Sequence, residues 1–99
     1  MGMMEAGREL DALVAEKVMG WPDYAEKNHC PEYSTDIAAA WLIVEEFVPA
    51  YDLSLTWHNG AWETRFILWG APMQHYTGKG NSEMLAICRA ALKAKGIDA

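Results

Sequence analysis

The sequence predicts an α+β fold in one domain: an antiparallel sheet of three to four strands, built on a β-hairpin and packed with helices, in the order α-α-β-β-β-α. Three observations predict it. Asn59-Gly60, the dipeptide preferred in a two-residue type I′ turn, stands between two runs in which apolar and polar residues alternate. Before and after those runs, apolar residues recur at three- and four-residue steps, the helical period. Ninety-nine residues, 52% of them hydrophobic, suffice for one core and not for two.

The first helix is expected from Glu5 to about Met19, with Leu10, Leu13, Val14 and Val18 on its buried stripe and Gly20 ending it. Residues 1–4 read as a start-codon remnant or an unstructured start. Gly2 does not open a myristoylation signal, because that pattern requires Ser or Thr where Ala6 stands. Trp21-Pro22 then opens an irregular connection, "WPDYAEKNHCPEY", with two prolines. Trp21 is placed to staple the first helix to this loop.

Ser34 is the expected N-cap of the second helix, with Asp36 in the first turn facing the positive end of the helix dipole. Ile37, Trp41, Val44 and Val48 form one stripe, and Ala38, Ala39, Ala40, Leu42 and Ile43 cover most of the rest. Only Glu45 and Glu46 mark a wet side. A helix apolar on several sides must be covered on several sides, so it is expected centrally on the sheet, with the first helix or a partner chain on its back.

Pro49 closes that helix, and the hairpin follows. If His58 opposes Ala61, Trp57 faces Trp62, Leu55 faces Thr64 and Leu53 faces Phe66. Leu53, Leu55, Trp57, Trp62, Phe66 and Leu68 then share the core side. Ser54, Thr56, His58, Glu63, Arg65, Ile67 and Trp69 look the other way. "GAPM" breaks the second strand, "QHYT" forms a short third, and "GKGNS" reads as a loop. The last helix runs from Ser82 to about Lys95 and buries Leu85, Cys88 and Leu92, with Gly96 ending it.

Fourteen acids against 8 bases, a net charge of −6, argue against a nucleic-acid polymer as partner, since such binding rests on clustered Lys and Arg. No run is apolar enough to cross a bilayer, and no secretory signal opens the chain, so a cytosolic setting is expected. Cys30 and Cys88 lie far apart and outside any metal-binding spacing. His29 beside Cys30 is a loop pair, so neither a metal nor a cofactor is expected.

Three stretches, "LDALVAEKVMGW" (Leu10 to Trp21), "YSTDIAAAWLIVEE" (Tyr33 to Glu46) and "AICRAALKA" (Ala86 to Ala94), together resemble the phage ABA-sandwich domain family. The resemblance implies helices flanking an antiparallel sheet, and a phage origin in an infected bacterial host. It carries over no catalytic residue.

No motif pairs a nucleophile with a base, so a non-catalytic protein is expected. "GKGNS" departs from the Walker phosphate loop twice: Met73 stands where its first Gly belongs, and Gly80 follows Lys79 where Ser or Thr belongs. What survives is a helix N-terminus with Lys79, Asn81 and Ser82 near it, able to hold one phosphate. Trp69 on the outer face, near Arg65 and ahead of His75 and Tyr76, offers a stacking plane. Stacking plane and anion donors together are what nucleotide recognition requires. Arg65, Trp69, His75, Tyr76, Lys79, Asn81 and Ser82 are therefore the candidate ligand-binding residues. Small phage proteins include sponges that sequester cyclic nucleotide signals of bacterial immunity, usually as symmetric oligomers with pockets at subunit contacts. The expected function is such anti-defence binding by a homo-oligomer. The alternative is a structural or host-interaction protein docking through an aromatic face.

Overall fold

The computed structural model describes residues 5–20 and 31–97. It contains α1 (Arg8–Lys17), α2 (Ile37–Phe47), β1 (Asp52–His58), β2 (Ala61–Leu68), β3 (Gln74–Gly80) and α3 (Glu83–Ala94). The fold is α+β, and the three strands form one antiparallel sheet in the order β1-β2-β3. Residues 1–4, Trp21, His29 and Cys30, on which expectations were placed, lie outside the described residues.

The hairpin forms as its turn chemistry demands. Asn59 and Gly60 both have positive φ, at 52° and 80°, as a type I′ turn requires. The turn sets the register: His58 pairs with Ala61, Trp57 with Trp62, Leu55 with Thr64 and Leu53 with Phe66. β3 extends this register, with Tyr76 beside Phe66, Gly78 beside Thr64 and Gly80 beside Trp62. The third strand is therefore longer than "QHYT", and Gly78-Lys79-Gly80 belongs to it rather than to a loop.

The reason is packing. A Cβ on Gly78 would stand 2.2 Å from the amide nitrogen of Ala90 and 2.5 Å from the carbonyl oxygen of Ala86. One on Gly80 would stand 2.8 Å from Cγ of Leu85. The backbone of α3 lies directly on β3, and only glycine leaves it room. Arg89 fixes the contact from the side by donating to the carbonyl of Lys79 at 2.7 Å.

α3, not α2, is the central element: every residue from Leu85 to Leu92 is buried, with β3 and β2 on one side and α2 and α1 leaning on the others. It is capped by Ser82, whose hydroxyl accepts from the Leu85 amide, and it ends where Gly96 takes φ 81° and the Ile97 amide donates back to the Leu92 carbonyl.

α2 packs with Ala39, Ala40, Ile43, Val44 and Phe47, and Phe47 stacks on Phe66 with ring centroids 4.5 Å apart. The expected stripe is corrected. Val44 is buried, but Ile37, Trp41 and Val48 are exposed, because the stripe that meets α3 is rotated about a quarter-turn from them. The N-cap is corrected too: Asp36 caps α2, accepting from the Ala38 amide at 3.0 Å.

Ser34 has another task. Its hydroxyl accepts from the Gly7 amide at 2.9 Å and donates to Asp11 at 2.6 Å, while its own amide donates to the same carboxylate at 2.8 Å. Both side chains are buried, so this knot ties the start of α1 to the approach of α2.

Two stability predictions follow from these contacts. Gly78→Ala drives a methyl into helix backbone that cannot yield, and should cost about 3 kcal/mol or prevent folding. Gly80→Ala, facing a side chain, should cost less, and Gly70→Ala, with 3.7 Å of clearance, should be near neutral in urea denaturation. Asp11→Ala strands both donors of Ser34 and should lower stability by about 2–3 kcal/mol in the same assay.

Candidate functional site

α3 packs on the sheet face that carries Gly78, and α2 and α1 pack on α3, so the opposite face is bare of helices among the described residues. Alternation from the hairpin places Thr56 and His58 of β1, Glu63 and Arg65 of β2, and His75 and Lys79 of β3 on that outer face.

Glu63 is its electrostatic centre. One carboxylate oxygen meets Arg65 at 2.9 Å and the other meets Lys79 at 3.9 Å, while the side chain itself is only 21% exposed. Two cations share one anion, leaving local positive charge on a chain that is acidic overall. Arg65 spends one edge of its guanidinium on Glu63 and keeps further donors. Beside this group lies a hollow of about 240 Å³ lined by His58, Asn59, Ala61, Trp62, Glu63 and Lys79. His58 and Asn59 are hydrogen-bonded to each other there at 3.2 Å.

Trp69 stands at the far end of the sheet. It is 64% exposed, and its indole N–H donates to the carboxylate of Asp52. His75 is nearby, paired across the ladder with Ile67, two residues before Trp69. From Glu63 to Trp69 the strand advances six residues, roughly 20 Å.

The candidate residues are therefore divided. Trp69, Arg65, His75 and Lys79 share the outer side, with Trp69 and Lys79 at opposite ends. Tyr76 points to the helix side, bonds Gln74, and lines a second cavity of about 450 Å³ with Lys93, Gly96 and Ile97. Ser82 is occupied as the α3 cap, with Asn81 exposed before it. The glycines between Tyr76 and Asn81 serve close packing and form no anion-cradling loop.

Sequence reasoning gave Asp52 no role, and it weighed Glu63 beside His58 only as a chance catalytic pair, not as part of a ligand site. The signal was present in the register, which sets Glu63 between Arg65 and Lys79 and Asp52 beside the end of β2. Two tryptophans expected to pack also differ. Trp57 points to the helix side as alternation requires, yet it is 57% exposed, because α3 covers β2 and β3 but not the hairpin end of β1; Trp41 is 45% exposed. Trp62 is half-buried against Trp57, with ring centroids 5.4 Å apart.

A family model described as the phage ABA sandwich domain matches residues 12–92. The crystal structure of a phage protein from Bacillus cereus superposes with a TM-score of 0.77 at 23% sequence identity, over 100% of this chain and 94% of that one. At that identity the likeness concerns the fold. No curated protein matches. No helix among the described residues is long and apolar enough to cross a membrane, and no cluster of three or more His, Cys, Asp or Glu is found among them.

Cys88 lies inside α3 at 0% exposure. Burial raises its pKa far above the ordinary thiol range, the Asp11 carboxylate raises it further, and Arg89 opposes both. The thiol is held protonated and inert. In a Cys30→Ser chain, a thiol reagent should leave Cys88 unlabelled in the native state and modify it fully in denaturant. Because the unfolded thiol ionises near pH ~8.5 and the folded one does not, stability should fall as pH rises above that value.

Proposed function

The chain belongs to the phage ABA sandwich domain family, and we propose that this small phage protein acts by binding rather than by catalysis, sequestering a small nucleotide-class immune signal in the cytoplasm of the infected host. The observation that carries this reading is the bare outer sheet face, with an exposed indole at one end and two cations around one carboxylate at the other. A sheet face that no described helix covers is available to a ligand. An indole supplies the stacking plane for a base, and Arg65 and Lys79 supply donors for phosphate oxygens.

Burial keeps the Cys88 thiol protonated, so this cysteine is no candidate nucleophile. The overall negative charge disfavours long polyanions, while the local excess of cations around Glu63 favours a small one.

A second reading has its own observation. Ile37, Trp41 and Leu42 on α2 and Val48 at its C-cap are each at least 41% exposed, and an exposed apolar helix side is a surface for docking another protein. The two readings use different surfaces, so mutation separates them.

The test is direct. Protein purified from an infected host is heat-denatured, and the supernatant is examined for absorbance at ~260 nm, the nucleobase band expected of a stacking ligand, and for a nucleotide mass. Purified chain is then titrated with cyclic dinucleotides, cyclic trinucleotides and cyclic ADP-ribose isomers. Trp69→Ala and Arg65→Ala should each weaken binding about tenfold or more. No binding across that panel places the docking reading first.

A further inference from the structure

The two edges of the sheet are treated differently. β3 lies under α3, and Arg89 donates to its Lys79 carbonyl. Among the described residues β1 pairs only with β2, and none of them makes a backbone hydrogen bond to its other edge. Seven residues long, with an unbroken register, β1 lacks proline, lysine and bulge, the usual means of blunting an edge. Its helix-side residues are also left partly bare: Leu53 and Leu55 are half-buried and Trp57 is exposed.

The sequence of β1 is complementary to itself. Set antiparallel to a copy about a two-fold axis through Leu55, Leu55 meets its own equivalent and Leu53 meets Trp57. On the other face Ser54 meets Thr56, and Asp52 meets His58. Apolar opposes apolar on the helix side, polar opposes polar outside, and the one carboxylate on the strand opposes its one imidazole. We propose that two copies of this chain pair through the β1 edges about that axis, giving a continuous six-stranded sheet with an isologous interface.

The pairing alters the outer face. Within one chain Trp69 lies far from Lys79. Across the axis, Asp52, which holds the Trp69 indole, becomes the neighbour of the partner's His58 at one strand spacing, about 5 Å. The rim of the hollow formed by the partner's His58 and Asn59 then faces Trp69, with the partner's Lys79 three strand spacings, roughly 15 Å, across the sheet from Asp52. The indole of one chain thus borders the imidazole end of the other chain's hollow, twice per dimer. This second step rests on the nucleotide reading above, whereas the interface does not.

The experiment uses full-length chain without ligand. Sedimentation should give a dimer. Leu55→Cys in a Cys30→Ser background should form an intermolecular disulfide on mild oxidation, because directly opposed residues in antiparallel strands lie within bridging range. Ser54→Cys alone should not, since its partner across the axis is Thr56. Trp57→Lys, at an exposed position, should keep the native circular dichroism spectrum and weaken dimerisation at least roughly tenfold. A monomer by sedimentation overturns the proposal. So does a dimer that neither cross-links through position 55 nor responds to Trp57→Lys. A cross-linking dimer that takes up no nucleotide upholds the interface and overturns the nucleotide reading alone.

Discussion

The rest of the structure depends on the contact of α3 with Gly78. Helix backbone meets strand backbone there, with Ala86 and Ala90 on one side and no side chain on the other. That closeness lets a 12-residue helix bury eight consecutive residues, since the sheet takes one side and α1 and α2 the others. Arg89 can reach the Lys79 carbonyl only because the helix lies that low. The same contact removes Gly78 and Gly80 from any role in cradling an anion. Glycine here marks proximity rather than flexibility.

How much was legible in the sequence follows from which signals are local. Asn59-Gly60 dictates a turn whose geometry fixes every pairing in β1 and β2, and all four expected pairs are found. Helix ends marked by Ser82 and Gly96 were equally readable, for a cap and a positive φ are chemical requirements of single residues. α2 was harder. It is apolar nearly all round, so periodicity identifies the helix without choosing which stripe meets α3. Ser34 misled for a related reason: a serine before a helix is an ordinary cap, and only the tertiary structure presents it with Asp11 and Gly7. The outward direction of Arg65 and Trp69 was legible from the hairpin. The distance between Trp69 and Lys79 was not, because it depends on "GKG" continuing a strand, which the helix above it decides.

Electrostatics and architecture meet on the outer face. An acidic chain gathers a local excess of cations around Glu63, and it does so on the one sheet surface that no helix covers among the described residues. The fold thus separates two kinds of work. Residues facing α3 hold the protein together, and their neighbours in sequence, one step along each strand, form the face proposed to bind.

That separation has an evolutionary consequence. Because alternate positions of the same strands answer to different demands, relatives can rewrite every second letter of the sheet while the intervening letters stay under steric constraint. Selection on the outer surface and selection on whether the protein stays folded then act on interleaved sets of sites. A lineage pressed to change that surface could do so by single substitutions, without first accumulating spare stability to absorb them.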